Sequence, residues 1–187
     1  MEILEFRKIR RSDIVDLKYN NWSRIYEYPL VLSIIKRHTI SKNTKIHNTS
    51  WGWEGCHIQF KTDLDLLSDN CIHTDRSPSN LPKTDIWDIT HEPKDVWLNS
   101  FDIVINISTV EEVNFNHITI FENLLKLVKD GGLLIITFDL PGLQLDKFEK
   151  KLKYKIKRFN DEISGINSEI ISKRDEKLTC GILILRK

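Results

Sequence analysis

Two short apolar runs dominate the second half of the chain, Phe101-Asp102-Ile103-Val104-Ile105-Asn106-Ile107-Ser108 and Gly132-Leu133-Leu134-Ile135-Ile136-Thr137-Phe138. Both are nearly continuous in hydrophobicity, the pattern of strands buried on two faces in a parallel sheet covered by helices. Between them Ile118, Phe121, Leu124, Leu125 and Val128 recur at helical spacing, with Asn114 or Asn116 available as a cap and Gly131 just past the end. A strand, a helix and a strand in succession predict a parallel pair with a right-handed crossover.

The same rhythm runs more faintly upstream. Lys45 to Ser50 reads as a strand, Gly55 to Leu67 as a helix, Asn70 to Asp75 as a second strand and Thr84 to Ile89 as a third, with Pro78, Pro82 and Pro93 punctuating the loops. Before these, Ser23 to His38 carries Ile25, Tyr26, Leu30, Ile34 and Ile35 at helical spacing, with Pro29 tolerated near the start or kinking the helix. After Pro141-Gly142, Leu145 to Leu152 predicts another helix, and Tyr154 to Phe159 and Leu178 to Leu185 predict strands joined through a polar stretch. The expectation is one α/β domain over 1–187, with an N-terminal helical segment at 1–40 and a sheet-based core at 41–187.

Composition narrows the partners. Twenty-eight Lys plus Arg stand against 27 Asp plus Glu, so no global field draws the chain to nucleic acid or anionic lipid. Lys147, Lys150, Lys151, Lys153, Lys155, Lys157 and Arg158 form one local basic run, read as a solvated face. No stretch approaches a membrane span and no apolar run follows Met1, so a cytoplasmic location is expected, with no membrane partner. Cys56, Cys71 and Cys180 are an odd number without paired spacing, which suits a reducing compartment and gives no metal-ligand pattern.

Open parallel sheets bind ligands beyond the carboxyl ends of their strands. At that edge the chain has the loop Asn48-Thr49-Ser50-Trp51-Gly52-Trp53-Glu54-Gly55, followed by Asp75 at the end of the next strand. Small residues let a backbone approach a ligand, and a carboxylate at that separation can accept from ribose hydroxyls. A nucleoside-like ligand is therefore expected there.

This order, with Thr84-Asp85-Ile86-Trp87-Asp88-Ile89, Ser100 to Val113 and Asp130-Gly131-Gly132-Leu133-Leu134-Ile135, resembles the class I S-adenosylmethionine-dependent methyltransferases from about Tyr26 to Phe138. The resemblance implies a Rossmann-like fold, a mostly parallel central sheet flanked by helices in a three-layer sandwich. It implies S-adenosylmethionine as cofactor and a small molecule or sugar precursor as methyl acceptor. Ser50 and Gly52 would approach the methionine part, Asp75 the ribose, Asp85 and Ile86 the adenine, and Asn106 to Ser108 the floor. Trp51 and Trp53 could stack on the adenine or plug the crevice. Candidate bases are Glu111, Glu112, His117 and Asp139.

The chain also departs from the family. Asn48 stands where an acid is usual, Ser50 replaces the first glycine of the loop and Glu54 the third. Losing a carboxylate contact weakens binding by about 10- to 100-fold. An inactive, methyltransferase-like binding or scaffolding domain is thus the rival expectation, and a nicotinamide-cofactor protein using Asp75 and Arg76 a third.

Overall fold

The computed structural model describes residues 1–13, 19, 24–38, 41–52, 56–140, 142–159 and 179–187. Its centre is a seven-stranded sheet in the order β1-β7-β6-β5-β2-β3-β4. The strands are β1 (Glu2–Lys8), β2 (Ile46–Thr49), β3 (Cys71–Asp75), β4 (Thr84–Ile86), β5 (Phe101–Ile107), β6 (Val128–Leu140) and β7 (Thr179–Arg186). The pairs β2/β3, β3/β4, β2/β5 and β5/β6 are parallel, whereas β7 runs antiparallel to both β6 and β1.

Period-two alternation sorts the side chains into two layers of core. Ile103, Ile105 and Ile107 join Ile135, Ile182 and Ile184 under helices α1 (Arg24–Arg37) and α2 (Cys56–Leu67). Val104, Leu134, Ile136, Phe138, Leu183 and Leu185 face the other way, toward α3 (His117–Leu127) and α4 (Leu145–Leu152). Helices on both faces of a mostly parallel sheet make the expected three-layer, Rossmann-like sandwich.

Three expectations are corrected. The segment before residue 40 contains a strand as well as a helix: β1 sits beside β7, from Glu2 opposite Arg186 to Lys8 opposite Gly181. Its charges hid it, yet Arg7 is buried because Asp13 holds it at 2.5 Å. Tyr154 to Phe159 is no strand, because β1 already occupies the place beside β7. The segment is left with a single parallel bridge, Lys157 to Arg7. Finally, β6 begins at Val128 directly after α3, so Gly131 lies inside the strand at φ +77°, not at a helix end. Asn116 does cap α3, its side chain accepting from the Ile118 amide at 3.1 Å.

Candidate functional site

From β2 the chain moves outward to β3 and β4, then returns to place β5 on the opposite side of β2. The carboxyl ends of β2 and β5 therefore splay apart, the switch point at which such sheets hold ligands. A cavity of about 400 Å³ opens there. Ser50, Asp75 and Arg76 form one wall, Trp87, Asp88 and Ile89 a second, and Thr109 with Glu112, Val113 and Asn114 a third.

The loop after β2 is shaped by backbone geometry. Ser50 and Gly52 both take left-handed conformations, at φ 52° and 67°. At Gly52 a side chain is also excluded by space, since a Cβ would lie 2.8 Å from the His57 ring, which Tyr28 of α1 holds by a hydrogen bond. Asp75 ties the loop to β3: its Oδ2 accepts from the Gly52 amide at 3.2 Å and its Oδ1 from the Ser77 amide at 3.0 Å. A carboxylate has about four acceptor positions, so this half-buried group keeps acceptor capacity toward the cavity.

The other sequence-derived candidates are distributed unevenly. Trp51 is buried and does not line the cavity; its ring meets His73 edge-on at 6.0 Å, on the α2 side of the sheet. Trp53 lies outside the described residues. Asn48 also faces that side, its Nδ2 3.2 Å from His73 Nδ1, while His73 Nε2 is 3.3 Å from Asp65. Asp85 pairs with Lys94 and Ile86 is 55% exposed, and neither lines the cavity. Asn106 is wholly buried beneath the switch point, donating to Thr49 Oγ1 at 3.0 Å, with its Oδ1 unpartnered among the described residues.

Ser108, at φ 37°, turns away under α1 and donates its hydroxyl to Glu27. Glu112 lines the cavity. Glu111 is more enclosed: its Oε1 accepts from the Asp139 amide at 2.6 Å, and burial pushes its carboxyl well above the usual range. His117 is spent on structure, since Nδ1 accepts from the Gln144 amide at 3.1 Å and Nε2 donates to the Val113 carbonyl at 3.2 Å. With both nitrogens engaged, and burial lowering its pKa, it offers no lone pair to a substrate.

Trp87, Asp88, Ile89, Thr109 and Val113 line the cavity without having been candidates; Arg76, read in the sequence only for a nicotinamide cofactor, and Asn114, read only as a cap, line it too. The missing information was the end of β4. The strand stops at Ile86, so the residues just after it, and not Asp85 and Ile86, build the wall.

Beyond β5 the edge is closed. Glu27 of α1 is fully buried and held by Arg24 at 2.5 Å, a pairing that raises the arginine pKa further. Cys180 Sγ donates to Asp139 at 2.7 Å and lies 3.3 Å from the Tyr26 hydroxyl. Glu27, Asp139 and Cys180 bring potential metal-ligand atoms within 4.8 Å, as do Asp65, Cys71 and His73. Cations already hold these groups: Arg24 on Glu27, and Lys61 at 2.7 Å with Lys83 at 3.3 Å on Asp65. In the lysine-rich stretch Lys151 pairs with Glu122 and Lys155 with Glu149. Among the described residues no helix is long and apolar enough to cross a membrane.

No family model matches the chain, and no curated protein does. Solved structures do. The chain is similar to the citrinin polyketide synthase CMeT domain, with 16% identity and a TM-score of 0.55 over 83% of this chain and 50% of that one. It is similar to the trans-methyltransferase CalH, solved with SAH, at 15% identity and TM-score 0.54 over 84% of this chain and 54% of that one. A putative sarcosine dimethylglycine methyltransferase from Galdieria sulphuraria gives 12% identity and TM-score 0.53, covering 84% of this chain and 83% of that one. The chain thus spans about half the length of the first two. These likenesses show the fold, which is that of the class I S-adenosylmethionine-dependent methyltransferases.

Proposed function

We propose that this chain binds S-adenosylmethionine at the β2/β5 switch point and transfers its methyl group to a small molecule or sugar precursor. One observation carries the reading: a cavity of about 400 Å³ lies at the ends of β2, β3 and β5 with Asp75 on its wall and the Trp51 ring outside it. The residues present suit the cofactor. Asp75 has acceptor capacity for the ribose hydroxyls, Trp87 and Ile89 offer apolar surface to a base, and Asp88 offers acceptors for polar edges.

Bound in that cavity, the cofactor would supply an electrophilic methyl on sulfur. The chain's share of the work is positioning, with a proton acceptor needed only where the attacking atom carries a proton. Glu112 lines the cavity, and Glu111, buried with a raised proton affinity, adjoins it. These two supply the proton-accepting groups.

Calorimetric titration with S-adenosylhomocysteine tests the reading; saturable binding is expected, and its absence at millimolar ligand would sink it. A second reading, a domain that binds without transferring, is favoured by the loop after β2, where Asn48 turns toward His73 and supplies no group to the cavity. Binding of S-adenosylhomocysteine without loss of the S-adenosylmethionine methyl group across a panel of acceptors would favour this second reading.

A further inference from the structure

Beside the nucleoside cavity lies a second, of about 290 Å³, and Glu112, Val113 and Asn114 form the wall between them. Glu111, Phe115, His117 and Gln144 complete most of its lining. The lining contains two carboxylates and no Lys or Arg. Lys147 is not part of the lining but stands next to it, donating to Gln144 Oε1 at 2.9 Å. His117 adds no positive charge, because a ring that accepts from the Gln144 amide is neutral.

Two further features point to an occupant. Glu111 Oε2 is buried and has no hydrogen-bond partner among the described residues, although its twin Oε1 is satisfied by the Asp139 amide. Buried acceptors without donors are uncommon, and a ligand N–H would satisfy this one. Phe115 leaves 43% of its surface exposed beside these carboxylates. An aromatic face next to acids attracts organic cations.

We propose that this second cavity takes a small organic amine as its ammonium ion, held by Glu111 and Glu112 with Phe115 against it, and that such an amine is the methyl acceptor. The proposal rests on the methyltransferase reading above. An anionic acceptor would meet Glu112 and the buried Glu111, whereas an ammonium brings the N–H that Glu111 Oε2 lacks and the charge that favours its ionised form. In the reaction the bound ammonium gives one N–H proton to the Glu111 carboxylate, whose burial favours holding it. The freed nitrogen lone pair then forms the N–C bond as the sulfonium S–C bond breaks, its electron pair staying on sulfur.

The test is an NMR titration of the protein, with and without saturating S-adenosylhomocysteine, using benzylamine, benzyl alcohol and phenylacetate as probes. Benzylamine is expected to bind at least about 10-fold more tightly than either isostere, the scale of one charge-assisted hydrogen bond. Glu111→Gln should weaken benzylamine by about 10-fold or more while S-adenosylhomocysteine affinity stays within about 2-fold, since Glu111 does not line the first cavity. Phe115→Ala, at an exposed position, should weaken it by about 2- to 5-fold. Equal binding of amine and alcohol, or no effect of either substitution, overturns the proposal. Binding of S-adenosylhomocysteine without amine preference removes the acceptor class alone; amine preference without S-adenosylhomocysteine binding removes the transferase reading and leaves an amine site.

Discussion

Beyond the carboxyl ends of the parallel strands β2 to β6 the sheet edge has two halves, one open and the other, where antiparallel β7 joins, filled. Above β2, β3 and β4 the loops turn outward, and the groups that face the gap, Asp75 and Glu112 among them, keep contact with solvent. Above β5, β6 and β7 the first turn of α1 comes down onto the strands, where Arg24 and Ser108 bond Glu27 and, close by, Cys180 bonds Asp139. The difference lies in what is lost when a partner is removed. A charge at the open end falls back on water, whereas a charge in the closed cluster has none to fall back on.

The largest expected effect therefore belongs to the closed half. Glu27→Ala removes the fully buried carboxylate that pairs with half-buried Arg24 and accepts from Ser108, and destabilisation of about 3 kcal/mol should appear as a lowered denaturant midpoint. A midpoint close to that of the wild type would contradict the contrast. At the open half Asp75→Ala should weaken S-adenosylhomocysteine by about 10- to 100-fold in calorimetry, with a smaller stability loss from the freed Gly52 and Ser77 amides. Unchanged affinity would separate Asp75 from the ligand.

Acid offers a third comparison. His47, buried under the open half among Trp87, Trp97 and Phe101, has its pKa pushed by burial down to about 3. Between about pH 6.5 and that value the unfolded chain binds a proton that the folded one refuses, so this contribution is intact above pH 6.5 and lost as pH falls. Stability should decline by about 1.4 kcal/mol per pH unit from this residue, and His47→Phe should flatten that limb in urea titrations run from pH 7 to 4. Glu111 works in the opposite sense: with its pKa raised, the strain of keeping it ionised is relieved as pH falls.

The smallest effect expected is on ligand affinity in Asn48→Asp. Since Asn48 points at His73 and not into the cavity, restoring the acid should change S-adenosylhomocysteine affinity by less than about 2-fold, against the 10-fold or more of a charge-assisted contact. A 10-fold gain would mean that the side chain reaches the ligand after all.

How legible these features were depends on burial pattern. β5 and β6 could be read because strands covered on both faces leave unbroken apolar runs, and the capped amphipathic stretch between them is α3. β1 could not, because Glu2, Glu5, Arg7 and Lys8 interrupt its apolar residues, and partners such as Asp13 and Glu5 around Arg7 and Arg186 on Glu2, distant in sequence or out of pattern, make those charges compatible with a strand. In Tyr154 to Phe159 alternating lysines imitate an edge strand, and sequence carries no sign that another segment has taken that edge. Asp75 was legible because a carboxylate closing a strand is a local feature. The wall of Trp87 to Ile89 was not, since it depends on β4 ending at Ile86. The closed cluster joins residues from α1, β5, β6 and β7, and no local spacing reports such a meeting.

β1 finds its hydrogen-bonding partners in the last strand, with Glu2 opposite Arg186 and the Ile9 amide on the Cys180 carbonyl at 2.9 Å. During synthesis β1 emerges before β7 and must wait, on the order of ten seconds at ordinary ribosomal speeds, for the strand that receives it. Any chain that stops before Thr179 leaves β1 without its ladder partner. Closure of that edge is then a late step in assembly, reporting that translation has passed β7.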